Sequence, residues 1–306
     1  MNRCYFVHYE WNVLTFTVRK IFPSYVCLHW SVPRRVRPSS FDDRAPARTG
    51  SIADYIHHLN TTEDSLARTS PTADYIHHLD TTQSPEDSPA TSENWSGAVL
   101  TGTGVTGVTG TFVVPDPIPP ADADPLTQYC GTSWVGVDGD GAVCSGALMQ
   151  AGVQWCVRQD EEPTFYAWQE WVPDEPSEVV FEDFEVAAGD EIRVTVNATD
   201  STSGNALIEN LSTGASAAHI WAGMDTALCE KTAEWITEDA TLDGVYGRQL
   251  QPFANYGSVV FTNNYAFVGG QKVGVADAAP LDMVQNNVLV SQGSISDGEV
   301  ITTYEL

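Results

Sequence analysis

The chain has 306 residues and carries 41 acidic against 14 basic side chains, a net charge of −27. That balance argues against nucleic acid as a partner, which needs a basic footprint, and against an anionic membrane surface. The length fits one large all-β domain or two ordinary ones. The charge is uneven: 31 of the acidic but only five of the basic residues lie after position 90, a net of −26 there.

Residues 1–50 form a basic, aromatic segment of uncertain role. The apolar run Val13 to Val18 stops at Arg19-Lys20, and the run from Ile21 to Trp30 is broken by Pro23 and His29. Neither is a clean signal peptide, and neither is long enough to span a bilayer. Residues 51–91 hold a duplication: Ala53-Asp54-Tyr55-Ile56-His57-His58-Leu59 returns as Ala73-Asp74-Tyr75-Ile76-His77-His78-Leu79. Tyr55, His58 and Leu59 fall at helical spacing, so each copy predicts a short amphipathic helix. Two copies are too few for a solenoid, and Ser84 to Pro89 reads as linker. Six of the seven histidines precede residue 90. Because histidine changes charge between about pH 5 and 8, the repeat is a candidate pH switch; a recent duplication in a disordered tail explains the same pattern.

From Asn94 the pattern changes to strands. Asn94–Leu100 and Val105–Val114 come first, followed by runs near Thr132–Val137, Ala147–Val157, Thr164–Trp171, Glu178–Val186, Glu191–Thr199 and Ala206–Leu211. The rest are Ala217–Trp221, Ala233–Thr237, Ser258–Thr262, Leu281–Val290 and Val300–Tyr304. Most recur every ~10–20 residues with Gly, Asn, Asp and Pro between them, and no long 3.6-residue period appears. These runs predict an antiparallel β-sandwich of two sheets as one domain over residues 92–306. Cys130, Cys144, Cys156 and Cys229 allow two disulfides by three connectivities. Four N-glycosylation sequons, at Asn60, Asn94, Asn197 and Asn210, agree with secretion. With only Arg158, Arg193, Lys231, Arg248 and Lys272 to repel one another once the carboxylates are neutralised, this part should tolerate acid. Halophilic adaptation is the rival account of the acidity.

The chemistry narrows by elimination. His219 is the only histidine after residue 90 and sits in a strand-like run. A Ser–His–Asp set would rest wholly on it, and no GxSxG elbow is present. Without CxxC pairs or a second histidine, neither a zinc knuckle nor a two-histidine metal site is available there. No cofactor motif appears. Carboxylates, amides and aromatic residues remain. In Thr232-Ala233-Glu234-Trp235-Ile236-Thr237-Glu238-Asp239, alternation puts Glu234 on one face with Ile236 and Glu238. A carboxyl among apolar neighbours is desolvated, its pKa rises, and it can exchange a proton in catalysis. Gln150 is a neutral amide in the otherwise apolar run around Leu148, Met149 and Ala151. It can donate to an oxyanion or simply satisfy a backbone group.

Trp134-Val135-Gly136-Val137-Asp138-Gly139, Leu148-Met149-Gln150-Ala151-Gly152-Val153, Ala167-Trp168-Gln169-Glu170-Trp171, the Glu234 segment and Phe253-Ala254-Asn255-Tyr256-Gly257 together resemble the glutamic peptidases, or eqolisins. These are acid-active, pepstatin-insensitive endopeptidases. The resemblance runs over about residues 92–306. It implies a concanavalin-like sandwich of two roughly seven-stranded sheets, preceded by a mostly disordered pro-segment. It implies a dyad of Gln150 and Glu234 that activates water, with Trp134, Asp138, Trp168 and Glu170 binding substrate or supporting the dyad. Cys144–Cys229 and Cys130–Cys156 are the preferred disulfides. A secreted, monomeric enzyme acting on proteins, with neither metal nor cofactor, follows from the same likeness. Gln154, Tyr166 and Val172 depart from the family's usual residues, which puts the supporting groups in question. Two other classes compete: a lectin-like sandwich stacking sugars on its tryptophans, and a glycoside hydrolase using Glu170 and Glu234.

Overall fold

The computed structural model describes residues 17–20, 26–29 and 89–306, apart from positions 145, 176, 245 and 246. The histidine repeat and its predicted helices lie outside the described residues. In the first of two compact units, β1 (Thr17–Lys20) and β2 (Val26–His29) pair as an antiparallel hairpin.

Every regular element described in the second unit is a strand. In order they are β3 (Ala90–Ser92), β4 (Trp95–Thr101), β5 (Val105–Val113), β6 (Tyr129–Asp138), β7 (Leu148–Val157) and β8 (Thr164–Val172). Then come β9 (Val179–Val180), β10 (Glu191–Asp200), β11 (Ser203–Asn210), β12 (Ala215–Trp221), β13 (Thr232–Glu238), β14 (Thr241–Gly244) and β15 (Gly247–Leu250). The last are β16 (Ser258–Val268), β17 (Gln271–Val273), β18 (Ala279–Gln285), β19 (Val288–Ser296) and β20 (Glu299–Tyr304).

Two expected strands change form. The run Glu178–Val186 forms only the two-residue β9, and Asp183 turns the chain with a φ of 63°. The run Leu281–Val290 is a hairpin, β18 and β19, reversed at Asn286-Asn287 with both φ values positive. Asparagine is one of the few residues that takes that left-handed conformation readily.

Apart from the β14-β15 hairpin, these strands make one hydrogen-bonded path, β12-β11-β10-β5-β16-β20-β19-β18-β4-β13-β6-β7-β8-β9, with β17 and β3 attached to its flanks. The path doubles back at β16. Ser258–Phe261 pairs with β20, and the stretch from Thr262 pairs with β5 after a register shift next to Asn263, whose φ is 52°. The two layers are therefore joined through one strand, and β5 and β10 lie across from β6 and β7 without pairing to them.

Alternation sorts the side chains. Met149, Ala151, Val153, Trp155 and Val157 of β7 join Val135, Val137, Ala233 and Trp235 in the core between the layers. The Trp235 indole crosses that core to donate to the Thr109 carbonyl on β5 at 2.9 Å. Leu148, Trp134, Trp168, Val172 and Ile236 form a second apolar cluster on the opposite face, with Trp95 and Val99 of β4. Two sequons are removed as glycosylation sites of the folded chain. Asn94 is buried and its amide donates to Glu238, while buried Asn210 donates to Asp190.

Candidate active site

The opposite face of β4, β13, β6, β7 and β8 carries Gln150, Glu170 and Glu234. Neighbours in antiparallel register present their side chains together. One register row reads Val99, Glu234, Gly136, Gln150, Glu170. The next reads Gly97, Ile236, Trp134, Gly152, Trp168, and the one after it Trp95, Glu238, Thr132, Gln154, Tyr166. On the other side of the reactive row, Asp138, Leu148 and Val172 are in register. Gln150 and Glu234, distant in sequence, thus share one face. Two strand spacings, about 10 Å between Cα atoms, separate them, and the residue between is a glycine.

Gly136 leaves that interval open to side chains from its neighbours. A Cβ there would lie 2.9 Å from both the Leu148 side chain and the Trp134 ring. Gln150 is 5% exposed; its Nε2 donates to Glu170 Oε2 at 3.0 Å, and its Oε1 has no hydrogen-bond partner among the described residues. Glu234 is 0% exposed, and neither carboxyl oxygen has a partner there. Burial pushes its pKa well above the usual carboxylate range, and the charges of Asp138 and Asp140 push the same way. Thr232 opposes this only in part, since its hydroxyl lies nearby without reaching hydrogen-bond geometry. Glu170 is raised to about 8 by burial first, then by the Glu178 charge, against the pull of the Gln150 amide.

A cleft of about 620 Å³ opens over these strands, lined by Gln150, Glu170, Trp168, Gln154, Tyr166 and Glu238 among others. Trp134, Asp138 and Glu234 do not line it.

Residues 93–304 match the model of the Peptidase A4 family. The chain belongs to that family. It is 40% identical to aspergillopepsin-2 of Aspergillus niger over 228 residues, which cover 70% of this chain and 78% of that protein. It is 33% identical to scytalidopepsin B of Scytalidium lignicola, covering 69% and 77%. The crystal structure of scytalido-glutamic peptidase with a transition state analog inhibitor superposes with a TM-score of 0.62 at 33% identity, over 70% of this chain and 98% of that one. Aspergilloglutamic peptidase from Aspergillus niger gives 0.52 at 42% identity, over 58% and 99%. The protein is a peptidase, and its substrates are proteins or peptides.

In this A4 peptidase the buried groups around the row of Gln150 and Glu234 are tied by hydrogen bonds and disulfides. Asp138 accepts four backbone N–H groups, from Cys229, Glu230, Lys231 and Thr232, at 2.7–3.2 Å. Burial raises its pKa, and those four amides pull it back down. It thereby fixes the segment that enters β13 two residues before Glu234. Cys229 of the same segment is bonded to Cys144, and Cys130 to Cys156 across β6 and β7. Asp138, Cys144 and Cys229 come close enough to suggest a metal cluster, but the sulfurs are spent on each other and the carboxylate on amides.

Trp134 packs edge-on against Trp95, and its indole donates to Glu238 Oε2 at 2.8 Å. The Trp168 indole donates to Thr132 at 2.9 Å. Trp168 and Glu170 face the cleft; Trp134 and Asp138 stand behind it. Alternation places Glu238 on the face of Glu234 without giving it a role, and it does not single out Glu178. Glu178 arrives on a turn, where alternation predicts nothing.

Proposed function

We propose that this A4 peptidase is an acid-active, pepstatin-insensitive endopeptidase whose Gln150 and Glu234 activate water between them. The observation that carries the reading is the register row that sets a buried, unpartnered Glu234 and an amide with a free oxygen on either side of a glycine. Water entering this interval restores hydrogen bonds to Glu234, which lowers its pKa and lets it act as base. Glu234 then takes a proton from the water as it attacks the scissile carbonyl. The Gln150 amide donates to the oxyanion, and Glu234 returns the proton to the leaving nitrogen. The C–N bond breaks and the proton balance closes within the pair.

The two rival classes fit the geometry less well. Gln150 and Gly136 stand between Glu170 and Glu234 in the register row, and of the two acids only Glu170 lines the cleft, whereas a glycosidase sets two carboxyls facing each other across its sugar cleft. Trp134 and Trp168 are 0% and 1% exposed, which leaves little ring face for a sugar. Buried carboxyls that keep their protons favour acid work over halophily, whose acids face solvent. Two disulfides in the domain support secretion. We assign residues 92–306 to the catalytic domain, 51–91 to propeptide and linker, leave 1–50 without a role, and read the enzyme as a monomer.

Digestion of casein from strongly acid to neutral pH, with and without pepstatin, tests the reading. Activity should appear only in acid and ignore pepstatin. Glu234→Gln should lose about 10²–10⁴ in kcat, and Gln150→Ala about 10²–10³, with the fold intact by circular dichroism. A Glu234→Gln protein that still digests casein in acid removes the dyad.

A further inference from the structure

The cleft runs along β7 and β8: alternate residues of both, including Leu148, Gln150, Gln154 and Cys156 on β7, line it. Gln150 and Gln154 lie four residues apart, about 13 Å along the strand. An extended peptide on the same axis spans that distance with four of its own residues.

At that place three polar side chains converge. Gln154 and Tyr166 are register partners, and the Tyr166 hydroxyl donates to Glu178 Oε2 at 3.1 Å. All three line the cleft. Glu178 comes from the turn between β8 and β9, and that turn is tied at both ends. Glu175 Oε2 accepts from Trp171 N at 2.6 Å and from the Trp221 indole at 3.1 Å. Beyond Glu178, Val179 and Val180 pair with Gln169 and Trp168. Glu178 is thus flanked by tied residues, Glu175 before it and Val179 after it.

We propose that Gln154, Tyr166 and Glu178 form a subsite for an uncharged amide side chain, glutamine or asparagine, about four residues from the bond cleaved beside Gln150. The proposal rests on the peptidase reading above. A primary amide offers donors and an acceptor in one plane, and the subsite offers the same mixture from an amide, a phenol and a carboxyl. Glu178 is faced by Tyr166 and Glu170 of β8 and by Glu238 of β13. Burial, then the Glu238 charge, pushes its pKa to about 7, so in acid it is a neutral O–H donor rather than an anion. A lysine finds no negative charge on Glu178 there. Among the described residues that line the cleft there is no Lys, Arg or His to meet an acidic side chain.

The test is a peptide series varied only at the fourth residue on each side of the cleaved bond, with Ala, Gln, Asn, Leu, Lys or Glu, assayed for kcat/KM at about pH 4. On one side, Gln or Asn should exceed both Ala and Lys by about tenfold, the worth of one or two neutral hydrogen bonds. Tyr166→Phe and Glu178→Leu should each shrink the Gln-to-Ala ratio to about twofold or less, and Glu178→Gln should retain it. The wild-type series decides alone if a variant fails to fold. Cleavage that is flat at both positions, or best with Lys, overturns the subsite and leaves the peptidase standing. No cleavage of any peptide overturns the peptidase reading along with it.

Discussion

In the proposed mechanism Asp138 positions Glu234 without touching the reaction. Its two oxygens collect the N–H groups of four consecutive residues, and the fifth and sixth residues along are Ala233 and Glu234. Buried amides without partners are costly. Asp138→Ala should therefore lower stability by about 2–4 kcal/mol and reduce kcat more than it raises KM, because Glu234 loses its fixed approach. Urea unfolding with steady-state kinetics checks both. Asp138→Asn, which keeps one acceptor oxygen, should recover part of each. A variant with wild-type stability would mean that the clamp carries no strain from its neighbours.

At the scale of the strand, the proposed pairing of Gln150 with Glu234 depends on a residue with no side chain. Gly136→Ala would place a methyl 2.9 Å from Leu148 and from the Trp134 ring. Overpacking of this kind costs about 1–3 kcal/mol, yet the kinetic loss should be larger, at least tenfold in kcat, since the displaced groups stand between Gln150 and Glu234. The two effects separate in a melting curve run beside an activity assay.

The strand scale also shows what could be read in advance. Alternation located β4 to β8, β10 to β13 and β20 to within a few residues, because long half-buried strands carry their own period. It placed Gln150 and Glu234 on strands but not on one face of one sheet, since register between β13, β6 and β7 is set by pairing over about a hundred residues of chain. Short strands such as β3, β14 and β17 are too brief to show a period. The Asn286-Asn287 reversal was missed because an apolar run on both sides of it looks continuous. Gly136 was quoted for its motif, and its role as a gap between two functional groups becomes visible only when three strands stand in order.

Across the whole molecule, the buried acids set the response to pH. Glu170 titrates near 8, Glu178 and Asp239 near 7, and Glu234 well above its ordinary range. In the unfolded chain such groups titrate near 4. The native state thus holds more protons between about pH 4 and pH 8. The stability these groups contribute is fully present below pH 4 and lost as pH rises through 7 and 8. Two exposed or half-buried acids, Asp200 and Glu209, are shifted the opposite way by hydrogen bonds to Thr202 and Arg193. Calorimetry should find Tm higher at pH 4 than at pH 8 by on the order of 10 °C. A Tm that is flat or rises toward neutrality would contradict the protonation states assigned to the cleft.

The doubling back at β16 has a mechanical consequence. Half of one continuous backbone belongs to each layer, so neither layer ends at a seam where the other could peel away. Force or solvent that loosens the rear layer is transmitted by covalent bonds into the layer bearing Gln150 and Glu234. An enzyme that works among its own products, which are unfolded and partly digested chains, gains from having no separable half to surrender to them.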